Sequence, residues 1–118
     1  MYKIYFYKDR KGNYPVFDYI KKLKTKNDKD SRIKSSKIND YIQALSAYGT
    51  QIGEPYLKHL EGEIWELRPL RDRILFAAWI DNSFVLLHTF VKKTQKTPKA
   101  EIEKAKKELS EIRQRGLE

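Results

Sequence analysis

The chain has 118 residues, of which 35% are charged, and its 25 lysines and arginines outnumber 16 acidic residues to give a formal net charge of +9. This length suits one domain, and the positive excess indicates a polyanionic partner: a nucleic acid, an anionic membrane surface or an acidic protein. The absence of cysteine excludes disulfides, thiolate metal sites and cysteine nucleophiles, and two histidines do not favour a multi-histidine metal centre.

The apolar segments predict a soluble cytoplasmic protein with a single domain over residues 1–118. Residues 1–11 include Lys8, Arg10 and Lys11 and lack the apolar stretch of a signal peptide. The longest apolar run, residues 74–80, is too short to span a bilayer. We therefore expect no membrane partner.

The first part of the chain is predicted to be a strand followed by a helix. Residues 2–7 alternate in polarity and are rich in tyrosine, isoleucine and phenylalanine, which is typical of a strand. Asn13 is then expected to cap a helix with Pro15 in its first turn. One face of that helix carries apolar side chains three residues apart: Phe17, Ile20 and Leu23.

A second helix is expected after a break at residues 27–31, with Asp30 or Ser31 as its cap. Its apolar positions follow helical spacing: Ile38, Tyr41, Ile42, Leu45 and Tyr48. Gly49 is a natural end, because glycine readily adopts the left-handed conformation that closes a helix. Residues 50–62 contain two glycines and a proline and are predicted to be a loop.

Three strands in close succession are expected next, over residues 64–68, 73–80 and 84–91. The links are short, and Asp81-Asn82-Ser83 is typical of a hairpin turn, so these strands should pair antiparallel. A last helix is predicted over residues 98–115, with Thr97 as its cap and Gly116 at its end.

The predicted order is therefore β-α-α-β-β-β-α, which indicates an α+β domain. We expect a small, mainly antiparallel sheet with the helices packed on one face and the other face open.

Several basic residues lie at strand ends that the meander should bring together. Arg68, Arg71 and Arg73 flank one hairpin, and the end of the last strand should return Lys92 and Lys93 to Arg73, with Lys96 following. RNA can be cleaved without a metal if a base takes the 2′-OH proton, cations stabilise the pentavalent phosphorane and an acid protonates the leaving 5′-oxygen. Arginine binds phosphate through two parallel bonds, and a lysine among like charges releases its proton more readily. The alternative from these residues alone is a binding patch without catalysis.

Glu66, His88 and His59 are the candidates for a base, and each has a structural alternative. Glu66 lies on the same strand as Arg68, where a carboxylate usually forms an ion pair. His88, in mid-strand, is better explained as a packing residue, and His59 precedes the meander in the predicted loop.

Further contacts to RNA are predicted outside this cluster. Residues 21–37 contain eight basic side chains, among them Lys22 and Lys26. These side chains either bind the phosphates of ribosomal RNA or lie on a solvated helical surface. Trp65 is a candidate for stacking on a base, whereas strand propensity and packing account for most other aromatic residues.

Three motifs in order resemble a known family. They are GEIWELRP (residues 62–69), RILF (residues 73–76) and LLHTFVKKTQKTP (residues 86–98), followed by a helix rich in Glu, Ala and Lys. Together with the preceding strand and helical hairpin they are similar to the Gp49-like branch of the RelE/ParE superfamily, which includes the HigB-type toxins of toxin–antitoxin pairs.

The resemblance implies a microbial-RNase-type toxin fold and an endoribonuclease, without a cofactor or metal, that cuts messenger RNA on the ribosome and leaves a 2′,3′-cyclic phosphate. It implies a HigA-type helix-turn-helix antitoxin as partner. The toxin would contact operator DNA only through this antitoxin. Two alternatives remain, a ParE-like inhibitor of DNA gyrase and a non-catalytic RNA- or protein-binding module of phage origin.

The resemblance also suggests roles for individual residues. Arg73 matches the strand arginine that acts on the scissile phosphate, and Lys93 falls near the basic residue at the end of the following strand. With Arg68 and Glu66 they form the predicted catalytic set, and the predicted RNA contacts are Lys92, Lys96, Arg71, Trp65, Lys22 and Lys26. RelE-type toxins often carry a catalytic Tyr or His in a C-terminal strand, whereas this chain is expected to end in a helix with neither, so the general base is unassigned.

Overall fold

The structure is a computed structural model that describes residues 1–117, and its fold is α+β, as expected. The helices are α1 (Pro15–Thr25), α2 (Lys29–Tyr48) and α3 (Lys99–Arg115). The strands are β1 (Lys3–Phe6), β2 (Leu57–Glu61), β3 (Ile64–Leu67), β4 (Asp72–Trp79) and β5 (Ser83–Val91). Of the helices described, none is long and apolar enough to cross a membrane.

The five strands form one sheet in the order β1-β5-β4-β3-β2. The predicted meander is confirmed, because β3, β4 and β5 pair antiparallel in succession. Asp81 and Asn82 both have positive φ, of 53° and 55°, as the tight hairpin between β4 and β5 requires. The chain passes through α1 and α2 before the meander, which leaves β1 free to pair parallel with β5 at the sheet edge.

Part of the predicted loop at residues 50–62 is a strand, so that prediction was wrong for β2. The segment pairs antiparallel with β3, and Lys58 lies opposite Glu66 in the register. Its strand character is weak in the sequence because it is an edge strand with exposed polar side chains, flanked by Pro55 and Gly62. Only the hydrogen bonds of β3 make it part of the sheet.

The helix ends differ from expectation by a few residues. Asp28, rather than Asp30 or Ser31, caps α2 by accepting a hydrogen bond from the backbone N–H of Ser31 at 2.8 Å. The caps of α1 and α3 are Tyr14 and Pro98, without side-chain hydrogen bonds, instead of Asn13 and Thr97. Gly49 ends α2 with φ of 66°, as predicted.

Helices cover both faces of the sheet, so the expectation that they pack on one face was wrong. Adjacent residues of β4 face opposite sides: Ile74 and Phe76 pack with α1 and α2, whereas Leu75 and Ala77 pack with α3. A run of apolar residues along β4 without alternation is the pattern of a strand buried on both faces. The consequence is that basic side chains at the strand ends meet a helix, not an open sheet surface.

A register shift between β4 and β5 changes the direction of the side chains near the end of β5. Leu75 pairs with His88 but Phe76 pairs with Leu86, so β5 has one extra residue at this point. Since paired residues share a face, the bulge places His88 on the face covered by α3, together with Leu75.

Candidate functional site

A cavity of about 360 Å³ opens between the ends of β3, β4 and β5 and the start of α3. Five basic side chains line it: Arg68, Arg73, Lys92, Lys93 and Lys96. We call this cavity the cationic cleft. The remaining lining residues are Phe90, Val91, Thr94, Gln95, Thr97, Pro98 and Glu101.

The predicted convergence of strand-end cations is confirmed, although it lies on the face covered by α3. The backbone N–H of Lys92 donates to the carbonyl oxygen of Arg71 at 2.7 Å, and Nη2 of Arg71 donates to the carbonyl oxygen of Lys92 at 2.8 Å. These bonds tie the end of β5 to the start of β4, as the antiparallel meander requires. Arg71 itself is exposed beside the cleft and does not line it.

A fully buried carboxylate supports the two arginines of the cleft. Oε1 of Glu66 lies 3.0 Å from Nε of Arg68 and 3.9 Å from Nε of Arg73. Its other oxygen accepts a hydrogen bond from the Thr97 hydroxyl at 2.5 Å. Both oxygens are therefore engaged, which favours the ion-pair role of Glu66 over that of a base.

The guanidinium of Arg73 is held at the floor of the cleft, with 8% of the residue exposed. Its Nη1 donates to the carbonyl oxygens of Leu70 and Asp72, at 2.8 and 2.9 Å. Burial lowers the pKa of Arg73, with Glu66 opposing and Arg68 adding to the effect. Arginine stays protonated in proteins nevertheless, so the cleft has a fixed and partly desolvated positive charge.

The buried Asp72 anchors the other side of the sheet next to Arg73. Its Oδ1 accepts a hydrogen bond from the Tyr19 hydroxyl of α1 at 2.5 Å and lies 3.6 Å from Nζ of Lys34 on α2. Because Asp72 and Arg73 are consecutive in β4, packing of α1 and α2 on one face fixes the strand that carries Arg73 on the other.

Besides Arg71, three of the predicted RNA contacts lie outside the cleft: Trp65, Lys22 and Lys26. Trp65 is on the opposite face of the sheet, packed between His59 and Phe76 with ring centroids 4.9 and 6.5 Å away. Alternation along β3 explains this, since Trp65 and Glu66 are neighbours in sequence and face opposite sides. Lys22 and Lys26 are exposed on the last turn of α1 and directly after it, on the helical layer that covers that same opposite face.

Glu101 and Thr97 belong to the cleft, and the sequence analysis did not predict them there. Glu101 is in the first turn of α3, and its Oε1 lies 2.6 Å from Nε2 of His88. The sequence signal was the TP pair at residues 97–98, which fixes where α3 begins, but only the tertiary packing brings α3 against β5.

A second cavity, of about 580 Å³, adjoins the cationic cleft on the side of β2. The two share Arg68 and the segment 95–98, and the second adds Lys58, His59 and Lys99 to its lining. The basic surface thus continues beyond the cleft toward the sheet edge. Within residues 1–117, no three His, Asp or Glu side chains are grouped as metal ligands would be.

The model of one protein family, described as phage-derived protein Gp49-like (DUF891), matches residues 18–110 of the chain. The match includes the strands and the first turns of α3 that build the cationic cleft. No curated protein matches the chain in sequence.

Proposed function

The chain belongs to the family of phage-derived Gp49-like proteins, and on that basis we propose that it is the toxin of a type II toxin–antitoxin pair, of the HigB type within the RelE/ParE superfamily. In this proposal it is an endoribonuclease that cuts messenger RNA on the ribosome in the cytoplasm. A HigA-type helix-turn-helix antitoxin neutralises it and contacts the operator DNA.

The observation that carries the proposal is the cationic cleft, in which Arg68 and Arg73 converge on the buried Glu66. Cleavage through the 2′-OH passes through a phosphorane with more negative charge than the starting phosphodiester. Cations already fixed where that charge develops stabilise the transition state without reorganising, and this is usually the largest contribution to catalysis. Arg73 would bind the scissile phosphate, and the lysines of the cleft would neutralise it and the flanking phosphates.

The shape of the basic surface supports a polymeric substrate. The second cavity continues from the cleft past Arg68, so that more than one phosphate of an RNA strand can be bound in succession. Contacts of this kind position a strand without reading its sequence.

Primer extension on messenger RNA from cells that briefly express the protein tests the proposal. We expect discrete cuts within translated regions for the wild type and none for Arg73→Ala or Arg73→Lys, because lysine lacks the planar pair of donors. Arg10→Ala is the matched control, since the Arg10 side chain is 74% exposed outside the cleft. Thermal unfolding of the purified variants shows whether each is folded.

Two other results would contradict the proposal. Growth arrest with intact messenger RNA would indicate a ParE-like gyrase inhibitor, and absence of arrest would indicate a non-catalytic binding module. A folded Arg73→Ala variant that still cuts RNA would remove Arg73 from the active site.

A further inference from the structure

Among the described residues that line the cationic cleft, Glu101 is acidic and the other charged side chains are basic. Its side-chain hydrogen-bond partner among the described residues is His88, at 2.6 Å, and not one of the cleft's five cations. The Glu101 side chain is 30% exposed, whereas Glu66 is fully buried with both oxygens engaged. Glu101 therefore presents a carboxylate that substrate can reach, beside the cations that would hold a phosphate.

We propose that Glu101 is the general base of the reaction and that His88 is a positioning residue that orients it. The inference rests on the proposed ribonuclease function and supplies the group that this function lacks. A base must lie within hydrogen-bonding reach of the proton it removes, and a carboxylate accepts a proton from a 2′-OH held beside a bound phosphate.

Glu101 takes the proton of the 2′-OH, and the 2′-oxygen forms a bond to phosphorus while Arg68 and Arg73 neutralise the added charge. The bond from phosphorus to the 5′-oxygen then breaks, and the leaving oxygen takes a proton from the ammonium group of Lys93. The products are a 2′,3′-cyclic phosphate and a 5′-hydroxyl, and water returns the proton to Lys93 and removes the one on Glu101.

His88 is built to hold Glu101 in one orientation. The β-bulge places His88 on the face of α3, its side chain is only 12% exposed, and its ring lies 5.8 Å from that of Phe90. An imidazole that is mostly covered and packed beside a neighbouring ring has little freedom to rotate. Its hydrogen bond occupies Oε1 of Glu101 and restricts the carboxylate to the orientation in which it lines the cleft.

The test is the single-turnover cleavage rate of a short messenger RNA bound to purified ribosomes, with the same RNA free in solution as a second substrate. We expect Glu101→Gln and Glu101→Ala to lose about 10²- to 10⁴-fold in rate. Added acetate should restore part of the rate of Glu101→Ala but none of that of Arg73→Ala, since a small carboxylate replaces only a missing base. Glu103→Ala is the matched control, because Glu103 is on the same helix but does not line the cleft.

The positioning role of His88 is tested separately, by the cleavage rates of two His88 variants. His88→Ala should slow cleavage, and His88→Gln should recover much of the rate because the amide can still donate to Glu101. Equal rates for the two variants would overturn the positioning role.

Failure of this inference is distinguishable from failure of the proposed function. If Arg73→Ala is inactive and Glu101→Gln cuts at the wild-type rate, Glu101 is not the base and the ribonuclease remains. A slow Glu101→Ala variant that acetate does not rescue, with a lowered unfolding temperature, would assign Glu101 a structural role only. If the wild type cuts neither form of the RNA, the proposed function fails and the inference fails with it.

Discussion

Replacing Glu108 with glutamine is expected to stabilise the protein, by an amount that grows as the pH rises from about 4.5 to 8. Glu108 is 8% exposed on α3, next to the core residue Leu109, and its Oε1 has no hydrogen-bond partner among residues 1–117. Burial raises the pKa of Glu108 to about 8, and the nearby carboxylates of Glu111 and Asp9 add to the effect while Lys104 opposes it.

The direction of this pH dependence follows from comparing the protonation of Glu108 in the folded and unfolded chains. Below pH 4.5 the carboxyl is protonated in both states, and the folded form has its full stability. Between 4.5 and 8 the unfolded chain releases the proton that the folded chain keeps, so stability falls through this interval. At about 1.4 kcal/mol per pH unit, the loss has an upper limit of about 3 kcal/mol at pH 7 and about 5 kcal/mol above pH 8.

Glutamine at this position is neutral at every pH and resembles the protonated carboxyl in shape. Urea denaturation of Glu108→Gln and wild type at pH 5, 7 and 8.5 measures the difference in free energy of unfolding. Glu103→Gln, on the solvent side of the same helix, controls for the loss of one negative charge. A stability gain that is the same at all three pH values would refute the reasoning, because it would mean that Glu108 does not change protonation on folding.

Three further outcomes are expected. Tyr19→Phe should lower the free energy of unfolding by about 1–3 kcal/mol in urea, because it removes a hydroxyl donor from the buried Asp72; an unchanged midpoint would contradict this. Gly49→Ala should destabilise the protein, since the φ of residue 49 is 66° and a Cβ there would lie 2.8 Å from the Tyr2 ring. A crystal structure of the variant with an unshifted Tyr2 ring would refute this cause. Binding of single-stranded RNA should weaken as the salt concentration rises. If all five cations of the cleft contact phosphates, the logarithm of the association constant should fall with a slope of about −3.5 against the logarithm of salt concentration. A slope near zero would exclude such contacts.

Local patterns were sufficient to predict most elements of this fold. Helical spacing and Gly49 indicated α2 and its end, and the short links with the Asp81-Asn82 turn indicated the β4–β5 hairpin. The strand β2 was not predictable in this way. Edge strands bury little apolar surface, and their ladder depends on a partner that only the folded sheet supplies.

The convergence of Arg68, Arg73 and Lys92 could be predicted because short links force antiparallel pairing, and pairing brings strand ends together. The face on which they converge was decided by the tertiary structure. A helix shows in its sequence that it has one apolar side, but not which sheet face that side will cover.

Except for β2, the sequence by itself therefore determined the helices and strands, the antiparallel meander and the cluster of cations at the ends of its strands, since all of these depend on residues close in the chain. Only the tertiary structure decided that Trp65 lies away from that cluster and that Glu101 lies within it. The β5 bulge turns His88 toward α3, and packing of α3 on that face brings Glu101 within 2.6 Å of it. Contacts of this kind depend on register and on the packing of distant segments, which no local pattern records.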